Sequence, residues 1–190
     1  MVQKAVISAG SNWVEKSIRE FRGSPVHRIA DEWMLITSGS TATGPGHWNT
    51  MTASWGGFGE LWAKDVAFVF IRPNRYTRDF IDANSIFTLS FFDKKYHKAL
   101  AFCGEKSGRD YDKAAETGLT PVAFENKVAS GRAVGAVSFK EASEIVVCRK
   151  MYMQDIYPEN FLDPSIGKHY PEQDYHRMYV GEIVALLVAK

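Results

Sequence analysis

The sequence predicts a mainly β, α+β fold: a closed or nearly closed β-barrel with short inserted helices. Three observations carry this expectation. Six or so apolar or alternating runs of strand length are spread along the 190 residues. The segments that suit helices are short and too few to follow every strand, as a doubly wound parallel sheet requires. No repeat, low-complexity stretch or linker interrupts the chain, so residues 1–190 are read as a single domain.

Taken in order, residues 32–37 (EWMLIT) form a strand ended by the loop SGSTATGPG. Residues 49–55 (NTMTASW) are rich in β-branched and small side chains and read as a second strand, closed by Gly56 and Gly57. Residues 66–71 (VAFVFI) are the clearest buried strand. Pro73 stops it, and Asn74 is the expected N-cap of a helix over 75–83 that ends at Asn84. Residues 86–92 (IFTLSFF) alternate as a strand. Residues 96–102 suit a short helix closed by Gly104, and Ser107-Gly108-Arg109-Asp110 is expected to start another that ends at Gly118 in a C-cap. Residues 144–153 and 179–188 are long strand candidates. Segment 125–137 has no clear period and reads as loop or irregular strand.

Composition excludes several classes of function. Lys plus Arg number 23 against 22 Asp plus Glu, a formal charge of +1, so no global field draws the chain to nucleic acid or an acidic membrane. The apolar runs at 66–71 and 183–189 fall far short of a membrane span. The N-terminal MVQKAVISAGSNWVEK has no continuous apolar region, so no signal peptide is read and a cytoplasmic location is expected. Cys103 and Cys148 form no CxxC and have no histidine at ligand spacing, which argues against a disulfide framework or a zinc site. Aromatic residues reach 13%, enough for a large core and a planar ligand.

No GxSxG, GxxxxGK[ST] or GxGxxG pattern occurs, and the five histidines show no metal-ligand pairing. Three segments nevertheless carry chemistry. Arg72-Pro73-Asn74-Arg75-Tyr76-Thr77-Arg78 places three guanidinium groups at the expected start of a helix, a site for a phosphate or else a solvated surface. In Asn49–Gly57 the hydroxyls of Thr50, Thr52 and Ser54 alternate with Met51, Ala53 and Trp55. One face is then polar: a flat ligand's ring edge against the strand backbone, or an ordinary edge strand facing water. Ser107-Gly108-Arg109-Asp110, with Lys113 beyond it, reads as an anion-binding helix start or a simple cap.

WMLITSG, NTMTASWGG, the strand ending in IRPNRYT, FTLSFF, KALAFCGEKSGRD and ETGLTPV occur in the order and approximate spacing of the flavin reductase-like proteins. This family, to which flavoredoxin-type proteins belong, has an FMN-binding split β-barrel fold. The resemblance runs from about Glu32 to Val122 and continues weakly to DYHRMYVGEIV. It implies an FMN cofactor with Asn49, Thr50, Met51, Thr52, Ser54 and Trp55 along the isoalloxazine. It places Arg72, Pro73, Arg75, Tyr76 and Thr77 at the phosphate and ribityl chain, with Ser107 and Lys113 on a second wall. It also implies a homodimer, which would cover strand edges that a lone barrel leaves open.

The activity implied is an oxidoreductase in which NAD(P)H, bound transiently, reduces the flavin and a free flavin, redox protein or other acceptor takes the electrons. The alternative is a flavoredoxin-like electron-transfer flavoprotein that does not itself oxidise NAD(P)H. A third reading is a non-catalytic barrel for another phosphate-bearing ligand. No catalytic side chain and no metal is expected, because the cofactor carries the chemistry. Cys103 beside the proposed site reads as a small buried hydrophobe. His47, Trp48 and segment 125–141 depart from the pattern and carry no assignment.

Overall fold

The structure is a computed structural model and describes residues 12–127 and 133–190. Its centre is an eight-stranded antiparallel sheet. The strands are β1 (Trp13–Lys16), β2 (Met34–Gly39), β3 (Trp48–Ala53), β4 (Gly56–Leu61), β5 (Lys64–Ile71), β6 (Ile86–Phe91), β9 (Glu144–Asp155) and β10 (Arg177–Ala189). They run in the order β3-β2-β6-β9-β10-β5-β4, with β1 added on β10, while β7 (Pro121–Lys127) and β8 (Ala133–Phe139) make a separate hairpin. Four short helices decorate them: α1 (Pro25–Ala30), α2 (Thr77–Ala83), α3 (His97–Glu105) and α4 (Lys113–Thr117). The expected mainly β barrel with inserted helices is the fold observed.

The core has two parts, one on each side of the central strands. Met34, Ile36, Val69, Ile71, Phe87 and Leu89 pack on one face. Leu35, Ile86, Leu100, Phe139, Ile145 and Val147 pack on the other, where α3 and the β7–β8 hairpin cover the sheet. Strands covered on both faces have no need of a polar alternate residue. That is why 34–37 is a nearly continuous apolar run, and why the hydroxyls of Thr88 and Ser90 that alternate through 86–91 are buried and paired internally.

Four local expectations are corrected. Gly56 and Gly57 do not close the preceding strand; they open β4, which pairs with β5 from Gly56↔Val69 to Leu61↔Lys64. The helix expected from residue 75 begins at Thr77. Residues 72–78 make turns first, with the N–H of Arg75 donating to Arg72 O and that of Arg78 to Arg75 O, while the Asn74 amide is taken by Asp174 instead of capping. Ser107–Asp110 is a turn, not a helix start. The α4 helix begins at Lys113, because the Asp112 carboxylate accepts from the N–H groups of Ala114 and Ala115. Its C-cap is Gly118 at φ +71, as expected. The stretch 125–137 belongs to the β7–β8 hairpin where it is described, and residues 128–132 lie outside the described residues. Residues 1–11, on which the absence of a signal peptide was read, also lie outside them. Among the described residues no helix is long and apolar enough to cross a membrane.

Candidate functional site

Among the described residues, strand β3 ends the sheet and is paired on one side only, with β2. Beside it opens a cleft of about 160 Å³ against residues 51–55, bounded by Phe70, Arg72, Arg75 and His176. A smaller recess of about 60 Å³ continues from Met51 and Arg75 to Tyr76, Ser107, Gly108 and Lys113. Because the two share Met51 and Arg75, they form one elongated groove. The structure brings the sequence-predicted site residues together around it, with two exceptions: Thr50 and Pro73 line neither part.

Thr50 is fully buried, its hydroxyl paired with Thr37 Oγ1 at 2.8 Å and with Ile36 O at 3.2 Å. The register that sets Thr37 opposite Thr50 is the reason. The Thr52 hydroxyl donates to Leu100 O on α3. The polar face read from the alternation of residues 50, 52 and 54 is thus largely used within the protein, and β3 offers the groove its unpaired backbone edge. Pro73 sits on the exposed turn after β5. Asn49 is buried and donates through Nδ2 to Thr77 Oγ1 at 2.8 Å, which fixes the corner between β3 and α2.

The cluster of three arginines resolves into one available cation. Arg72 Nη1 donates to both Asp174 carboxylate oxygens at 2.6 and 2.8 Å, and its Nη2 donates to His169 O at 2.7 Å. Arg78 faces Asp82 and Asp155 at 3.7 and 3.8 Å. Arg75 is exposed, donates to Gly104 O at 2.9 Å, and has no carboxylate within ion-pair distance among the described residues.

Lys113 carries the second available charge. It is 6% exposed, and its ammonium donates to Thr50 O and Cys103 O, both at 2.8 Å. Two of its three N–H groups are satisfied by carbonyls, yet no carboxylate pairs with it. Burial, and secondarily the Arg75 charge, push its pKa down to about 8, so it stays protonated at neutral pH. The N–H groups of Ser107 and Gly108 have no intramolecular acceptor among the described residues. Gly108 is required by proximity, since a Cβ there would stand 1.9 Å from Asn49 Oδ1. Two cations without a carboxylate partner among the described residues thus lie beside two unpaired amides, the kinds of group that hold an anion in proteins.

His176 was not singled out in the sequence, where it is one isolated histidine before the last strand. It is 8% exposed, its Nδ1 pairs with Tyr170 Oη at 2.9 Å, and its ring lies 5.1 Å from Trp55. Burial first, then the neighbouring Arg72, push its pKa down to about 4, so the ring is neutral across physiological pH. Cys103 is 1% exposed, and burial pushes its thiol up to about 11, the behaviour of a small hydrophobe and not of a reactive thiolate.

The family model for flavin reductase-like domains matches residues 26–190, and the chain belongs to that family. Among similar solved structures is an FMN-binding domain of a flavin reductase-like enzyme from Shewanella baltica, with a TM-score of 0.59 and 15% identity over 93% of this chain and 77% of that one. A flavoredoxin from Desulfovibrio vulgaris aligns with a TM-score of 0.57 and 21% identity, over 92% and 76% of the two chains. An NADH:FAD oxidoreductase from Streptomyces globisporus, solved with NAD and FAD fragments, aligns with a TM-score of 0.53 and 13% identity, over 82% and 73%. At such identities the likeness shows the fold, the split barrel. No curated protein matches the sequence significantly.

Proposed function

We propose that this chain binds FMN in the groove beside β3 and acts as an oxidoreductase that passes electrons from NAD(P)H through the flavin to an acceptor. The observation that carries the reading is the buried, carboxylate-free ammonium of Lys113 at one end of an open cleft that follows an unpaired strand edge. Burying a charge without a partner is costly, and a phosphate at this end supplies the partner. The residues present fit the cofactor. Arg75, Lys113 and the amides of Ser107 and Gly108 would hold its phosphate, and the backbone of residues 51–55 would meet the ring edge.

When bound, FMN supplies the hydride and electron chemistry; the protein binds, orients and tunes it. Trp55, 43% exposed at the mouth of the cleft, offers an aromatic surface to a planar reactant. The neutral His176 presents a ring nitrogen that has no protein partner among the described residues, a hydrogen-bonding group that does not change charge near neutral pH. NAD(P)H would be held transiently, the acceptor being a free flavin or a redox protein. The unpaired edges of β3 and β4 support a homodimer.

The test compares FMN with riboflavin, which lacks the phosphate, by fluorescence titration of flavin-free protein. FMN is expected to bind about 100-fold more tightly, the scale of one or two charge-assisted hydrogen bonds. Equal affinities would remove the phosphate site and the reading built on it. The structural likeness to a flavoredoxin supports a second reading, an electron carrier. FMN bound tightly but left oxidised by NADH and NADPH would favour it.

A further inference from the structure

We propose that residues 156–176 form a strap, latched to the barrel by Arg72, whose wall sets the size of the reactant admitted to the groove; this rests on the FMN reading above. The strap leaves β9 and returns into β10. Its neck is closed by Ile156 N–H donating to His176 O at 2.9 Å, and by Arg177 donating to both Asp155 carboxylate oxygens at 2.7 and 2.9 Å. Between these ends it holds only two short 3-10 segments, Pro158–Asn160 and Pro164–His169. Of its side chains only Tyr170 and His176 are buried, and Leu162 is 99% exposed. Apolar packing therefore does little to fix where the strap lies.

Among the described residues, a group of contacts centred on Arg72 does so. Both Asp174 carboxylate oxygens accept from Arg72 Nη1, and Asp174 also accepts from Asn74 at 3.2 Å. Arg72 reaches on to His169 O at 2.7 Å and lies 5.1 Å above the Tyr170 ring. Tyr170 Oη in turn pairs with His176 Nδ1. The strap thereby sets two imidazole rings against Trp55, His169 at 5.5 Å and His176 at 5.1 Å. Of the two rings, His176 lines the cleft together with Trp55 and Arg72, and His169 packs on Trp55 behind it. A compact planar reactant passes beside His176, and one with a bulky substituent meets the strap. Arg72 thus spends donors of both Nη1 and Nη2 on the strap.

The test uses Asp174→Asn, with Asp174→Glu as the conservative rescue. In flavin-free protein, amide exchange across 157–173 should quicken about 10-fold while β5 and β6 keep their protection, the lower end of what a charged hydrogen bond holds. In FMN-loaded protein reduced with dithionite, reoxidation by a bulky acceptor, free FAD, should gain at least about fivefold relative to a compact one, menadione, with Asp174→Glu close to the parent. If Asp174→Asn does not fold, Tyr170→Phe, which keeps the ion pair and loses only the bond to His176, decides by the same ratio. Unchanged strap exchange overturns the latch. Normal FMN binding with an unchanged acceptor ratio overturns the wall. A parent protein that binds no FMN overturns the functional reading, and the wall with it.

Discussion

On the proposed function, Lys113 is where this chain trades folding stability for a ligand. Its ammonium is buried beside Arg75 and stabilised only by two carbonyls, so the charge is costly until an anion arrives. Its pKa lies at about 8 in the folded protein against 10.5 for a solvated lysine. Between those values the unfolded chain holds the extra proton, so flavin-free stability should rise with pH through this window. FMN affinity should move the other way. It should be strongest from about pH 6, where a phosphate monoester gains its second charge, to about pH 8, where the lysine loses its proton. Calorimetric titrations from pH 6 to 10 should show affinity falling on the alkaline side. Lys113→Met should abolish that limb and weaken binding at pH 7; an unchanged alkaline limb in the variant would place the titrating group elsewhere. Arg75→Ala should weaken FMN binding by about 1.5–3 kcal/mol, the usual scale of a charged hydrogen bond. Calorimetry showing unchanged affinity would remove Arg75 from the site.

At the scale of elements, the loop from α3 to α4 sets the second wall of the groove, and its geometry depends on two residues. The Asp112 carboxylate satisfies two N–H groups at the first turn of α4 and so positions Lys113. Asp112→Ala should lower stability by about 1 kcal/mol, measured by urea unfolding. Gly108→Ala should reduce FMN affinity, since the new methyl group collides with Asn49 and pushes the loop from the groove; unaltered affinity would show that the close approach is dispensable. Much of this scale was legible in the sequence. The strands at 34–39, 48–53, 64–71 and 86–91 follow runs whose period and composition announce them. What could not be read was pairing. That Thr37 lies opposite Thr50 and takes its hydroxyl is a consequence of register. That Asp174 claims Arg72 from 102 residues away is a consequence of topology. Local pattern could not show which of the three arginines carry carboxylate partners, because those partners are remote in sequence or lie a helix turn away. His176 was missed for the same reason: an isolated histidine gives no signal until the strap brings it to Trp55.

Among the described residues, the two strands that end the main sheet, β3 beside the groove and β4 away from it, each leave an edge unpaired. Unpaired edges are normally covered, and Trp62, 57% exposed at the β4–β5 turn, adds apolar surface of the kind that partners bury. Sedimentation at micromolar concentration should therefore give the mass of a dimer rather than 21.3 kDa; a monomer would mean that the edges are tolerated as they stand. The groove and its charges should serve one purpose, holding a flavin with a face open to a reductant. An anaerobic absorbance spectrum of FMN-reconstituted, gel-filtered protein, before and after NADH or NADPH is added, tests this most directly. The account predicts a protein-bound flavin band that bleaches within seconds of adding reductant. Protein that emerges from gel filtration without flavin would contradict it.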